Sequence, residues 1–149
     1  MEGVPEGIAR LVRERRWAAL CTLNGGAPAA SMVAFAPEPG LAGLFLHLSG
    51  LSLHTRNLLA DPRASLAIGD PDTGEGDPQL LPRVSLAGQV VLLDPESAEW
   101  DAAREIYVAR FPDAAPRFEL GDFRLFFFIP EEARFVGGFA KARSYRWGT

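Results

Sequence analysis

The sequence predicts a mainly β protein with peripheral helices, folded as one small antiparallel barrel over residues 1–149. Three observations carry this. Apolar stretches of strand length recur between short turn signals, and several alternate with period two. Only three segments carry helical spacing or helix punctuation. Six or seven strands joined mostly by short turns pair antiparallel and close most simply into a barrel.

Taken in order, Pro5 to Arg16 reads as a helix, with Ile8, Leu11 and Val12 forming one apolar stripe. Trp17 to Leu23 is a strand, Asn24-Gly25-Gly26 a tight turn, and Pro28 to Phe35 the returning strand. Ala29, Ser31, Val33 and Phe35 share one face of that strand; Ala30, Met32 and Ala34 share the other. Pro37 to Gly40 reads as a turn and Leu44 to Leu48 as a third strand. A short helix then opens around Ser52 and closes at Asp61-Pro62. Ala64 to Ile68 is a fourth strand, and Gly69 to Gln79, with four acids, an exposed loop. Arg83 to Leu93 is a long strand in which Arg83, Ser85 and Gln89 face one side, and Val84, Leu86, Val90 and Leu92 the other. Gly88 in its middle predicts a bulge or a close backbone approach. Asp94-Pro95-Glu96 reads as a helix start, with Ala103, Ile106, Tyr107 and Phe111 as its buried stripe. Phe123 to Ile129 is a very apolar strand. Pro130 and Glu131-Glu132 then read as a turn, and Arg134 to Phe139 as a last strand that ends in Gly137-Gly138.

Composition narrows the function. Hydrophobic residues at 48% and charged ones at 23% are ordinary for a soluble domain. A net charge of −4 argues against nucleic acid, and the basic run Arg13, Arg15, Arg16 shares its helix with Glu6 and Glu14. The lone Cys21 excludes an intrachain disulfide and a cysteine zinc site, and its apolar strand predicts a buried, inert thiol. His47 and His54, without a nearby carboxylate pair, make a poor metal site. His47 reads as an edge or interface histidine. No signal peptide and no membrane span is expected, and hence a cytoplasmic protein. Lys141 and Arg143 read as solvated charges, Arg63 as a surface charge, and Phe126, Phe127 and Phe128 as core and interface.

The usual catalytic signatures are missing: no G-x-S-x-G elbow, no phosphate-binding glycine loop, no dinucleotide fingerprint. No serine is marked as activated, so the catalytic residues stay unassigned and a bound cofactor would have to supply the chemistry. The segment LHLSGLSLHTRNLLADPRAS is the most informative. Ser49, Ser52, His54, Thr55 and Arg56 gather at one helix start, where free N–H groups and the helix dipole suit a phosphate. The same residues also suit an ordinary N-cap, with Arg56 on a solvated face or paired with Asp61.

The strand PAASMVAF, the segment LSLHTRNLLADPRASL, the strand PRVSLAGQV and the ending GDFRLFFFIPEEARFVGGFAKA carry a resemblance. In these, in that order, the chain resembles the FMN-binding split-barrel proteins related to pyridoxamine 5′-phosphate oxidase, most closely the branch linked to haem utilisation. The resemblance implies a six-stranded antiparallel split barrel and a homodimer with FMN in two interface clefts. It places Ser31, Met32 and Val33 along the flavin ring and Ser49, Ser52, His54, Thr55 and Arg56 at its phosphate. Arg83 and Ser85 would approach from the partner subunit. The oxidase carries Arg and Lys where this chain has Leu53 and His54. Haem-degrading members use a histidine near the C-terminus, whereas the last histidine here is His54. Two functions follow as expectations. One is a flavin-dependent oxidoreductase passing electrons to a small organic acceptor, haem or oxygen, with F420 as an alternative to FMN. The other is a non-catalytic flavin or haem carrier.

Overall fold

The computed structural model describes residues 3–137 and 142–148. Its elements are α1 (Glu6–Glu14), β1 (Trp17–Asn24), β2 (Ala27–Ala34), β3 (Ala36–Pro37), β4 (Leu44–Ser49), α2 (Leu53–Ala60), β5 (Arg63–Gly69), β6 (Arg83–Leu92), α3 (Ala98–Arg110), β7 (Phe123–Val136) and β8 (Ala142–Arg146). All strand pairs are antiparallel, in the order β2-β1-β5-β6-β7-β4-β3, with β8 on β7. The expected mainly β split barrel is therefore present, with eight strands because β3 and β8 join the sheet.

β2 and β3 lie at opposite ends of this order, yet one residue, Phe35, separates them in sequence. The chain crosses from one edge to the other there, so the sheet rolls up. Phe35 is fully buried at the closure, among Leu20, Leu46, Leu66, Leu86, Phe126 and Phe128. α1 adds Ile8, Leu11 and Val12 to the same core, as its stripe predicts. α2 packs against β1 and β2.

A second apolar layer lies outside the barrel. Ala103 and Tyr107 of α3, Ala114 of the 3-10 segment Pro112–Glu119, and Phe45 and Leu125 of the sheet are buried together there. The Phe126-Phe127-Phe128 run divides between the layers: Phe126 and Phe128 point into the barrel, and Phe127 packs outside on Phe45 with ring centroids 4.9 Å apart. Phe127 is thus covered within the chain.

Several boundaries differ from those read in the sequence. The turn expected at Pro130 is absent, and β7 runs through it as one 14-residue strand. The reason lies opposite. Gly88 pairs with Pro130 at a register shift, and this bulge accommodates a residue that has no N–H to give. A Cβ on Gly88 would stand 2.1 Å from the Ile129 carbonyl oxygen. Gly88→Ala is therefore expected to lower stability by about 1–3 kcal/mol in urea denaturation; an unchanged midpoint would contradict the bulge. Helix α3 begins three residues after its predicted start. Asp94 instead closes a turn by accepting from Glu96 N, and the Ser97 hydroxyl caps the helix by accepting from Trp100 N at 3.1 Å. Leu92 is exposed and not inward-facing. The end of the expected last strand, Gly138 and Phe139, and the charge Lys141 lie outside the described residues.

Candidate functional site

Three of the residues singled out in the sequence meet at the split of the barrel. Ser31, on the inward face of β2, is paired with Leu20 of β1. Ser52 and His54 come from the start of α2, which directly follows β4. They line a recess of about 280 Å³ together with Ala29, Ala30 and Leu53. Thr22 and Asn57 complete it, and neither stood out in the sequence. Asn57 Nδ2 donates to Thr22 Oγ1 at 3.0 Å, which ties α2 to β1 through a buried polar pair. One signal could have found them: a Thr on the inward face of a strand and an Asn on the covered face of a helix both need a partner.

Ser31 Oγ and His54 Nδ1 are 2.9 Å apart. Burial pushes the His54 imidazole below its ordinary pKa, so it is neutral near pH 7. Ser52 occupies the N-cap position, with extended φ −78° and ψ 146°, but its hydroxyl makes no capping bond. The N-cap reading is thus right in position and wrong in bonding: the first turn of α2 is not closed by its own cap.

The other expected site residues do not line this recess. Val33 is buried in the barrel core, so its side chain lines no cleft. Met32 is 49% exposed on the outer face, beside a separate recess lined by Arg15, Arg16, Trp17, Ala67 and Asp70. The Ser49 hydroxyl accepts from Leu51 N and shapes the turn into α2. Thr55 is fully buried, and its Oγ1 has no hydrogen-bond partner among the described residues. Arg56 is exposed, and its expected partner Asp61 instead holds Arg63 at 2.7 Å. Arg83 and Ser85 sit on β6, two strands beyond β1, and Arg83 donates to the carbonyls of Gln79 and Leu81. Within one chain they do not reach the recess. Cys21 is half-buried and lines a neighbouring recess with Arg63.

His47 is a buried core histidine. It lies under the 3-10 segment, stacked on Phe118 with ring centroids 3.7 Å apart and planes 4° from parallel, with Tyr107 and Phe123 around it. Burial first, and the Arg117 guanidinium second, push its pKa down to about 4. Its Nδ1 has no hydrogen-bond partner among the described residues.

No helix among the described residues is long and apolar enough to cross a membrane. A family model described as CREG, beta-barrel matches residues 6–145. A curated relative, "Non-canonical heme oxygenase HOZ, chloroplastic" from Arabidopsis thaliana, is 36% identical over 118 residues, covering 78% of this chain. This chain spans about a third of that relative's length, 34%. A heme binding protein from Mycobacterium smegmatis is 31% identical, with a TM-score of 0.82, over 97% of this chain and 60% of its own. HutZ, described as a heme storage protein from Vibrio cholerae, has the same fold at 23% identity and TM-score 0.76, over 87% of this chain and 92% of its own. With one family model covering almost the whole length and the barrel closed as described, the chain belongs to the CREG beta-barrel family of split-barrel proteins.

Proposed function

We propose that this chain is a haem-binding protein of haem utilisation, acting as a carrier, with the recess between β2 and α2 as its ligand site. The observation that carries this is the recess itself. Apolar Ala29, Ala30 and Leu53 stand beside a few fixed polar groups, Ser31, Ser52 and His54. Apolar contact with a few convergent polar groups suits a large, flat, partly anionic ligand. The likeness to a heme binding protein over nearly the whole chain supports it. So does the inventory of the site, which holds no nucleophile–base–carboxylate set. Bound haem would supply the iron and the porphyrin ring; the protein supplies placement. Titrating the purified protein with hemin tests this: a saturable Soret shift is expected, and a spectrum identical to free hemin would overturn it.

A second reading, a flavin-dependent oxidoreductase, is favoured by one observation. The first turn of α2 lacks its own cap, and the unused Ser52 hydroxyl stands beside it. That arrangement suits the phosphate of FMN. FMN would supply the redox chemistry, and the chain the anchor. On this reading FMN binds at least tenfold more tightly than riboflavin, and Arg56→Ala weakens FMN through loss of a charge-assisted contact. Equal affinities for FMN and riboflavin would remove the phosphate from the argument.

Both readings gain from a homodimer. The outer face of β2-β1-β5-β6 carries rows of small residues, Met32–Ala19–Ala67–Ser85 and Ala30–Cys21–Ser65–Ala87. Exposed Trp17 and Met32 lie at its margin. Such a face can approach a second copy closely, bringing Arg83 and Ser85 to the partner's cleft. Light scattering is expected to give twice the 16.1 kDa chain mass; a monomer at micromolar concentration would exclude a shared site.

A further inference from the structure

We propose that the recess on the outer face of the sheet, where α1 runs into β1, is a second ligand site that takes a flat aromatic acid. It is independent of the haem reading and lies on the other face of β2 from Ser31, bordered by Met32. The recess holds about 500 Å³. Its floor is Ala19 and Ala67, paired directly across β1 and β5. Trp17 and Met32 stand beside this floor, 57% and 49% exposed. Two large apolar side chains left this open, next to a floor of methyl groups, form a slot for a ring system. The indole offers a face for stacking, and the thioether a soft contact for a ring edge. The slot opens at the margin of the sheet face offered above to a second copy, so a small molecule enters it from the side.

The charge around the slot calls for an anion. Arg15 and Arg16 line it. Arg110 of α3 donates to the carbonyls of Arg13 and Arg15, so it already serves the open end of α1 and leaves the two lining arginines free of that task. The Arg16 guanidinium lies 4.9 Å from the Phe111 ring centroid and has no carboxylate partner among the described residues. Arg15 Nε is buried without a hydrogen bond among the described residues, and the carboxylate oxygen paired with it, Asp70 Oδ1, is 3.5 Å away. Two carboxylates also line the recess, Glu14 and Asp70, and Arg10 engages both. It reaches Glu14 at 3.1 Å and grips Asp70 through two bonds of 3.1 and 2.7 Å. Those bonds hold the Asp70 carboxyl below its ordinary pKa, so it stays ionised and pinned to Arg10. Burial, and then the Arg16 charge, push the Arg110 guanidinium below its ordinary value, the mark of neighbouring cations that lack a counter-charge. An aromatic carboxylate supplies both missing parts, an acceptor for the guanidinium groups and a ring for the indole.

The test is a titration of the full chain with naphthoate, a two-ring aromatic carboxylate, followed by proton–nitrogen correlation spectra that read indole and guanidinium N–H groups directly. Saturable shifts of the Trp17 indole and Arg15 Nε–H signals are expected. Arg16→Gln, at an exposed position, should weaken the probe by about tenfold, the usual effect of losing a charge-assisted hydrogen bond. Trp17→Ala, also exposed, should weaken it several-fold through loss of stacking. Neutral naphthalenemethanol, of nearly the same shape, should bind about tenfold more weakly than naphthoate. Equal affinities for the two probes, or unchanged affinity in Arg16→Gln, would overturn the anion site. No shift at Trp17 or Arg15, whether the recess rejects the probe or a second copy fills it, would overturn the proposal outright. Shifts confined to His54 and Asn57, in the recess between β2 and α2, would do the same. None of these results bears on hemin binding, so the haem reading stands or falls separately.

Discussion

Phe128→Ala is expected to lower the unfolding free energy by about 3–5 kcal/mol, the usual cost of removing a large aromatic ring from a closed core. Phe128 is fully buried inside the barrel, opposite Leu44 of β4 and Val90 of β6. Phe128 belongs to the same buried cluster as Phe35, at which the chain crosses between the edges of the sheet, so relaxation into the space it leaves is limited. Phe127→Ala, one residue away, is expected to cost only roughly 1–2 kcal/mol, because that ring is half-buried and packs outside the barrel on Phe45. Urea denaturation of the two variants checks the alternation of β7. Equal losses would contradict the two-layer arrangement.

The second large effect concerns acid. His47 is pushed from its ordinary 6.5 down to about 4 because burial under Phe118 disfavours the charged ring, with Arg117 adding to this. The unfolded chain therefore takes up this proton more readily than the folded one. The contribution of neutral His47 is complete above pH 6.5, declines as pH falls from there, and is gone below about 4. A difference of that size corresponds to about 3 kcal/mol. The charge that acts on the ring is Arg117 on the 3-10 segment, and the Tyr107 ring of α3 lies 5.7 Å away, centroid to centroid. Thermal unfolding followed between pH 7 and 4 should show a steep loss in the wild type and a flatter one in His47→Phe. The same slope in both proteins would show that the lability comes from other groups. At neutral pH His47→Phe should be no less stable, because it also removes a buried nitrogen with no partner.

The fold was legible in the sequence where periodicity and punctuation agree. The α1 stripe, the Asn24-Gly25-Gly26 turn, the two faces of β2 and the alternation of β6 up to Val90 all appear as read. Misreadings arose where a local signal has two physical outcomes. Pro130 ends a strand in isolation, but opposite a glycine bulge it sits within one. Asp94-Pro95 can start a helix or close a turn, and only Ser97 three residues later reaches the N–H that needs capping. Pro112 and Pro116 mark the end of α3 but give no hint that a 3-10 segment will fold over His47. That is why His47 looked like an edge residue.

The site divides the same way. Ser31, Ser52 and His54 were chosen partly by family pattern, and the geometry brings them into one recess. Val33 and Met32, given with Ser31 by the family pattern, lie outside this recess: the pleat places Val33 in the core and Met32 on the outer face. Thr22 and Asn57 escaped notice because their partnership spans 35 residues, a separation no local pattern encodes.

The most direct measurement is a crystal structure of the protein grown with hemin. The account predicts density for haem at the opening between β2 and α2, in contact with the recess where Ser31, Ser52 and His54 converge. Haem bound elsewhere, with that recess filled only by water, would contradict it.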